Sequence, residues 1–584
     1  MSNTMIPWLC LLPVEILHHI FDCLDASTIL FSLRCTCRRL KTIVDSYDRY
    51  VLDFRSISKS DFQLLCCLIN PRKVKSLILF PKDETSDQLE LFMTYFRIQE
   101  FTRLRSLTLI EIEERQLKVL LKRFCIPSLT SFSFKLGKYD DRRTNTTATL
   151  LSSIISQANL HHLNLELRST RIEKMIWPAQ CLIKYLKIGS CDEFSQIFTI
   201  LRCSPHLQTF VIKFSSYVDD TIISLDSFRT SFQQLTSLTL ENLRANVNNL
   251  ELLLSSMTSL TYLKLIGLGH FLNGNRWEQF IQTNLPCLKK FELFVQEWKD
   301  VDYTSVDIEA IIELFRTSFW IEHKKWFFTC ETIELWPRVI KLYSIPLCIS
   351  TLTYEPESNK ISSSTFYSII NNDMSIMDNI DTIDFKFSKF TLDDIQQQQQ
   401  SLHGPLFRRI TNLELDYYVQ PIPNWASFIS ILVDLTTVTQ IKLTGIRIFQ
   451  AHPNIITDLS TLLQQACSLT SLDICCNYDS RRSKLTAQDI YSMTPSHVKH
   501  LAASIKNLNE VKICLTKLQH LLTARFFYRS SSFSNVVVEW LEQEKAGSSY
   551  FVGAVFTKVW LVQSNNQFKL VRIGNKRIKL TVDH

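Results

Sequence analysis

One phrase recurs along this chain: an apolar residue, two variable residues, a second apolar residue, one variable residue and a third apolar residue. It appears at Val74-Leu77-Leu79, Leu104-Leu107-Leu109, Leu129-Phe132-Phe134, Leu160-Leu163-Leu165, Ile183-Leu186-Ile188, Leu207-Phe210-Ile212, Leu235-Leu238-Leu240, Leu260-Leu263-Leu265 and Leu288-Phe291-Leu293. After an irregular stretch it returns at Ile349-Leu352-Tyr354, Ile380-Ile383-Phe385, Ile410-Leu413-Leu415, Val438-Ile441-Leu443, Leu469-Leu472-Ile474 and Leu508-Val511-Ile513. Most neighbouring copies stand 23 to 31 residues apart, a rhythm that belongs to stacked repeats rather than to a single closed domain. Within each phrase the alternation predicts a short strand with two apolar side chains on one side. Between phrases, Gln116 to Phe124, Thr149 to Gln157, Asn246 to Ser255 and Ile456 to Ala466 space their apolar residues in threes and fours, which predicts helices returning behind the strands. No such unit covers its own apolar face, so the units must stack and the ends need caps.

The first fifty residues follow a different rule. Pro13 suits the first position of a helix, and Glu15 places a negative charge where unpaired N–H groups favour it. Val14, Leu17, Phe21 and Leu24 then form one apolar stripe, and Ile16, Ile20 and Cys23 a second about a third of a turn away. Asp25-Ala26-Ser27-Thr28 supplies cap-forming residues ahead of Ile29, Leu30, Phe31 and Leu33. A third segment keeps Arg38, Arg39 and Lys41 on its wet side and Leu40, Ile43 and Val44 inside. So short a unit has more apolar surface than it can bury alone, and the surplus predicts a partner.

Leu12-Pro13-x-Glu15-Ile16-Leu17, Ile20-Phe21, Leu24, Ile29-Leu30, Leu33 and Cys35-x-Cys37-Arg38-Arg39-Leu40 together resemble the F-box. The resemblance implies docking onto a Skp-type adaptor and, through it, onto a cullin-based ubiquitin ligase, with Leu12, Pro13, Ile16, Leu17, Ile20 and Leu24 as contacts. The repeated phrase resembles leucine-rich-repeat proteins. Cys191 and Asn477 occupy the Asn or Cys position of that family, eight places after the first apolar residue, whereas Lys82, Ile112, Gly137, Arg168 and Ser215 depart from it. The two resemblances imply an α/β solenoid: an N-terminal three-helix F-box, then a leucine-rich-repeat horseshoe with its parallel sheet on the concave face. The expected domains are an F-box at 1–50, a linker or N-terminal cap at 51–73, an irregular array at 74–520 and a C-terminal cap at 521–584.

Three tracts fall outside the rhythm. Residues 295–350 carry Trp298, Trp320, Trp326, Phe327, Phe328 and Trp336 with a poorly formed phrase at Cys330-Ile333-Leu335, read as an irregular repeat with an enlarged core or as a protruding aromatic loop. Gln396 to Gln400 reads as a surface loop. Past Leu515, Val536-Val537-Val538, Tyr550 to Val562 and Phe568 to Ile573 read as strands, with a turn at Asn565-Asn566 and Lys569, Arg572, Lys576, Arg577 and Lys579 on a solvated side.

Composition narrows the function. A formal charge of +7 from 64 basic and 57 acidic side chains spread over 584 residues is no nucleic-acid footprint. No stretch approaches the roughly 20 apolar residues of a membrane span. Seventeen cysteines lack the regular spacing of a disulfide scaffold, and the adjacent pairs Cys66-Cys67 and Cys475-Cys476 suit a reducing compartment, cytoplasmic or nuclear. Gly267, Gly269 and Gly274 imitate a phosphate loop, but Asn275-Arg276 stands where Lys and Ser or Thr belong. His18-His19, His161-His162 and the pair His497 and His500 lack the further ligands of a zinc site. No cofactor or metal is expected, and the chain is expected to be a non-catalytic receptor that presents an unidentified protein substrate. The rival reading is a repeat scaffold that assembles proteins without ubiquitin transfer, its F-box-like end serving as a cap. In either case selectivity belongs to strand residues facing away from the core: Tyr185, Lys187, Lys213, Tyr262, Lys264 and Lys290, then Glu355, Asp384, Glu414, Asp416 and Asp473 with Lys386 and Lys442. This predicts a face basic near the middle and more acidic toward the C-terminus.

Overall fold

The computed structural model describes residues 9, 11–55, 57, 59–80, 88–112, 114–122, 128–137, 146–157, 159–215, 231–269, 271–299, 307–333, 338–354, 360–365, 377–386, 405–416, 425–444, 455–474, 485–528, 531–543, 549–552, 556–560, 562–564 and 567–569. The chain divides into two units, the first formed by 1–270 with 279–291 and the second by 271–278 with 292–584.

Among the described residues of the first unit, nine strands follow one another side by side in chain order. They are β1 (Tyr50–Asp53), β2 (Val74–Leu79), β3 (Ser106–Ile112), β4 (Ser131–Leu136), β5 (His162–Glu166), β6 (Tyr185–Cys191), β7 (Thr209–Phe214), β8 (Ser237–Leu243) and β9 (Tyr262–Leu268). Every ladder is parallel. The paired apolar residues of each phrase stand in register, so Leu163, Leu186, Phe210, Leu238 and Leu263 form one buried row. The return segments are helical as their spacing requires, at Glu114–Lys122, Thr146–Ile155, Phe194–Cys203 and Val247–Ser255. Asn246 caps the last of these by accepting from Asn248 N at 2.9 Å.

Two devices stack the repeats. Just ahead of each strand, two successive amides share one carbonyl of the preceding repeat: Thr236 and Ser237 bond to Gln208 O, Thr261 and Tyr262 to Thr236 O, and Lys289 and Lys290 to Thr261 O, all at 2.8–3.1 Å. Threonines reinforce this spine, since the hydroxyls of Thr130, Thr236 and Thr261 donate to the carbonyls of Arg105, Gln208 and Thr236 at 3.1, 3.2 and 3.0 Å. At the far end of the strands, bulges at Ile110/Ile112, Ile188/Cys191 and Leu240/Leu243 turn the chain. These bulges occupy the position where the repeat family keeps Asn or Cys. Ile112, Cys191 and Leu243 are buried there, and backbone does the stacking, with Gly137 N donating to Ile112 O at 3.0 Å and Ser215 N to Cys191 O at 3.1 Å. Glu111 and Asn242 take positive φ of 54° and 56° to make the turn. The next repeat must therefore be bare at the contact, because a Cβ on Gly137 would lie 2.6 Å from Glu111 O and one on Gly267 2.1 Å from Leu243 O.

From Glu292 on, the second unit contains an antiparallel group in the order β10 (Lys290–Lys299, its first two residues belonging to the first unit), β12 (Arg338–Ile345), β11 (Phe327–Ile333) and β14 (Lys360–Ser364). Cys330 and Ile333 therefore lie on an antiparallel strand, not in a repeat; Leu335 and Trp336 lie outside the described residues. The aromatic residues here form a core rather than a protruding loop. Trp320 is fully buried, with ring centroids 4.8 Å from Phe319, 5.3 Å from Phe315 and Phe328, and 6.0 Å from Trp326. Trp298, by contrast, is 55% exposed.

A parallel tract then runs through β13 (Thr351–Tyr354), β15 (Thr382–Lys386), β16 (Asn412–Asp416), β17 (Gln440–Thr444), β18 (Ser471–Ile474), β19 (His500–Ser504) and β20 (Thr523–Phe527). It uses the same shared-carbonyl spine, from Asp381 and Thr382 on Ser350 O to Leu522 and Thr523 on Lys499 O. Two expectations fail at this end. Leu508-Val511-Ile513 is the helix Leu508–Lys517, capped by Asn507, and Val536-Val537-Val538 lies in the helix Ser531–Gln543. The strands fall instead at Leu501-Ala503 and Ala524-Phe526, where alanine fills the inward positions that leucine fills elsewhere. The tail supplies β22 (Phe556–Trp560), which pairs antiparallel with β20, and β21 (Ser549–Val552), which pairs antiparallel with β22 at the edge of this sheet. Gln396 to Gln400, Asn565-Asn566, Cys475-Cys476, Asn477, Arg572, Lys576, Arg577 and Lys579 lie outside the described residues.

Candidate functional site

The N-terminal helix Val14–Asp22 begins immediately after Pro13, whose carbonyl accepts from Leu17 N at 3.1 Å. Its two stripes part company. Leu17 and Phe21, four residues apart, are buried, while Ile16 is 47% exposed and Val14 and Leu11 are also open to solvent. Of the residues expected at a docking surface, Pro13 and Ile16 are exposed and Leu12, Ile20 and Leu24 half-buried. Leu17 is instead completely buried, because its place one turn before Phe21 points it into the helical core. Asp25 organises the next turn by accepting from Thr28 N and Thr28 Oγ1 at 2.7 and 2.6 Å. Burial works against its charge, but the bonds from Ser27 and Thr28 prevail and hold its carboxyl below the usual range. Thr28–Leu33 is a π-helical stretch that runs into Arg34–Thr36, and the helix Arg38–Ser46 buries Leu40, Ile43 and Val44. Arg39 Nη2 donates to Leu12 O at 3.1 Å and fixes the entry of the chain.

This helical group is tied to the sheet of the same unit. Tyr47 OH donates to Asp22 Oδ1 at 2.8 Å, and Tyr50 OH to Val44 O at 3.0 Å. The two tyrosine rings meet edge-on at 4.9 Å, with Tyr50 already on β1. Lys73 reaches Asp45 O, and Arg103, ahead of β3, pairs with Asp48.

Strand residues on the side away from the core form a second surface in the first unit. One row runs Ser131, His162, Tyr185, Thr209, Ser237, Tyr262; the next runs Ser133, Asn164, Lys187, Val211, Thr239, Lys264. His162 and Tyr185 stack at 3.9 Å with rings 5° from parallel, and Lys290 Nζ stands 5.3 Å from the Tyr262 ring. Glu166 lies between Lys135 at 3.5 Å and Lys187 at 3.8 Å. Partial burial lowers the pKa of His162, and burial with Glu241 nearby raises that of Tyr185. Lys213 pairs in register with Glu241. The alternation within each phrase identifies Tyr185, Lys187, Lys213, Tyr262 and Lys264; it gives no hint of the His162 stack or of Glu166, which depend on which repeat neighbours which.

The corresponding face of the second unit is more acidic. Its central row is Thr353, Asp384, Glu414, Lys442, Asp473, Ala502, Arg525. Lys442 Nζ donates to Glu414 Oε2 at 2.9 Å, and Lys386 lies 4.0 Å from Asp384. Burial raises the pKa of Asp384, Glu414 adding to the effect while Lys386 and Lys442 oppose it. Burial and Asp384 likewise raise that of Asp416. Glu355 lies outside the described residues.

Among the described residues no three His, Cys, Asp or Glu side chains come together as metal ligands, and no helix is long and apolar enough to cross a membrane. Gly267 lies inside β9, and Gly269 follows it with φ 140°. His497 bonds to Ala466 O at 3.0 Å and His500 to Thr523 Oγ1 at 2.9 Å. The described cysteines are free thiols; burial pushes Cys66, Cys191, Cys330 and Cys514 up to about 12. No curated protein matches the chain. Residues 9–52, which hold the exposed Ile16 stripe and the Tyr47–Tyr50 junction, match the family model of the F-box domain. The chain thus carries an F-box domain toward its N-terminal end, followed by a repeat-like parallel sheet.

Proposed function

We propose that this chain is a substrate receptor of a cullin-based ubiquitin ligase. Its F-box domain docks on a Skp-type adaptor, and its leucine-rich-repeat array, a horseshoe with the strands on the concave face, binds a protein substrate. The observation that carries the reading is the F-box match at 9–52 on helices that leave Leu11, Val14 and Ile16 uncovered. Leu12, Pro13, Ile20 and Leu24 complete the docking surface, and Leu17 supports it from beneath. The substrate meets Tyr185, Lys187, Lys213, Tyr262, Lys264 and Lys290 in the first unit and Glu414 and Asp416 in the second. The chain contributes binding and geometry, not bond chemistry. The Tyr47–Asp22 and Tyr50–Val44 bonds make the junction between helices and sheet stiff. A stiff junction holds a captured protein at a set distance from the ubiquitin donor and raises its effective concentration there. Such a receptor works in the cytoplasm or nucleus.

Ile16→Asp with Pro13→Ala tests this in the full chain. The pair alters exposed residues, so the parallel sheet stays folded by circular dichroism while co-purification of adaptor and cullin falls at least tenfold. Equal recovery from wild type and variant would sink the receptor reading and leave a repeat scaffold.

A further inference from the structure

The outward face of β4–β9 is unevenly charged. Lys135, Lys187, Lys213 and Lys264 stand on it against Glu166 and Glu241, with Lys290, at the start of β10, over the Tyr262 ring. Glu166 is shared between two of the lysines, at 3.5 and 3.8 Å, and so neutralises neither fully. Lys264 is flanked across β8 by Thr239, which carries no charge. Two aromatic platforms, the His162–Tyr185 stack and Tyr262 beneath Lys290, border the lysines.

We propose that this face receives an extended acidic segment of a partner protein, lying across the strands. The spacing supports the direction. Lys187 on β6 and Lys264 on β9 occupy the same row three strands apart, roughly 14 Å at about 4.8 Å per strand, which an extended chain at about 3.4 Å per residue covers in four residues. Carboxylates four residues apart therefore reach both lysines, and one between them meets Lys213, two residues farther along β7 than the row itself. Val211 and Thr239 present a low, uncharged floor beneath such a chain. Tyr185 and Tyr262 offer flat apolar area with a polar tip, and the His162 ring stacked on Tyr185 at 3.9 Å extends that area. The charge complementarity speeds encounter and sets partner choice, and its strength falls with salt. This surface deepens the substrate-receptor reading and rests on it for its biological meaning, but not for its chemistry.

A fluorescein-labelled decapeptide of alternating Glu and Ser, titrated by anisotropy against the full chain at 50 mM salt, tests it. Wild type binds this peptide and not the matching Lys-Ser peptide. Lys187→Glu, Lys213→Glu and Lys264→Glu together weaken binding at least tenfold, and the milder Gln triple at the same positions gives an intermediate loss at unchanged melting temperature. Reversing Lys118, Arg171 and Arg202 to Glu on the helical side, in the helices Glu114–Lys122, Ser169–Ile172 and Phe194–Cys203, leaves the affinity within twofold. Loss of equal size from the helical-side triple, no loss from the face triple, or preference for the basic peptide overturns the proposal. Adaptor co-purification keeps the two readings apart: Ile16→Asp with Pro13→Ala loses adaptor and keeps peptide, and the face triple does the reverse. Peptide binding without adaptor in wild type would end the ligase reading and spare this one.

Discussion

The two parallel tracts are built on one backbone scheme and differ in what they expose and how they turn. Both stack by shared carbonyls and threonine hydroxyls, the latter at Thr130, Thr236 and Thr261 in the first unit and Thr411, Thr439 and Thr470 in the second. Only the first shows strand-end bulges among its described ladders. Its outward face collects lysine and aromatic rings, whereas the second places Asp384, Glu414, Asp416 and Asp473 on its own. Architecture is therefore set by inward leucines and backbone bonds, and the outward positions differ in charge between the two tracts.

The largest effects come from the shared scheme. Leu238→Ala on β8 and Leu472→Ala on β18 remove side chains that are both fully buried, and each should cost about 3 kcal/mol, within the range for buried leucines. Hydrogen exchange of the strand amides, read by mass spectrometry, measures each tract separately. Similar losses sustain the equivalence of the tracts; a loss at Leu472 below about 1 kcal/mol would break it.

The next effect belongs to the first unit. A methyl on Gly267 would sit 2.1 Å from the Leu243 carbonyl, backbone that can move only by undoing the bulge. Gly267→Ala is expected to cost about 2 kcal/mol, in the upper part of the usual range for single substitutions, with the loss concentrated in exchange at β8 and β9. Protection of those strands equal to wild type would show that the turn is not fixed by this contact.

These features also explain what was legible in the sequence. The L-x-x-L-x-L phrase identified strands wherever large apolar residues fill both inward positions, from Val74 to Ile474. It failed beyond, because Ala503 and Ala524 take the inward positions on β19 and β20, while Leu508-Val511-Ile513 satisfies the phrase and a helical spacing at once. Asn507 as a cap, accepting from Glu510 N at 3.0 Å, decides for the helix. The Asn or Cys ladder is broken in the sequence where backbone takes its place, as Gly137 N does on Ile112 O, while Cys191 keeps the position and its thiol donates to Glu193 O at 3.3 Å. At the N-terminus two stripes were readable, and Leu17, which the F-box resemblance names among the contacts, lies buried in the stripe it shares with Phe21, because a Leu-Pro pattern names residues without saying which support and which touch. The His162–Tyr185 stack was invisible, since the two residues are joined only by the register of β5 and β6.

A pH series sharpens the contrast between faces, because the signs differ. His162 has a folded pKa below its ordinary 6.5, so it contributes stability above 6.5 that is lost as pH falls through the folded value. Asp384 and Asp416 have folded values above 3.8, so their contribution is full below 3.8 and is lost as pH rises through the folded values. Acidification from pH 7 toward 4 should weaken β5 and β6 and relieve β15 and β16. Because His520 in the second unit is also depressed, by burial first and then by Lys499 and His497, substitution separates the causes. His162→Gln should flatten the profile of the first tract, and Asp384→Asn with Asp416→Asn that of the second. Parallel slopes in the two tracts, unchanged by these variants, would remove the distinction.

The smallest effect tests the shared spine directly. Thr261 Oγ1 donates to Thr236 O at 3.0 Å, and Thr439 Oγ1 to Thr411 O at 3.2 Å, both in exposed settings. Valine keeps the shape and the strand preference of threonine while deleting the donor, and the carbonyl it abandons retains its two backbone amide partners. Thr261→Val and Thr439→Val should therefore each cost only about 0.5 kcal/mol, at the low end for a hydrogen bond whose acceptor is not orphaned. A combined variant at Thr236, Thr261, Thr411 and Thr439 should lose close to the sum at separated sites and differ from it at neighbouring ones, since Thr236 donates its own hydroxyl and accepts from Thr261 through its carbonyl. If single losses exceed about 1.5 kcal/mol, the hydroxyls rather than the shared carbonyls hold the repeats in register, and the tracts stack by side chain instead of backbone.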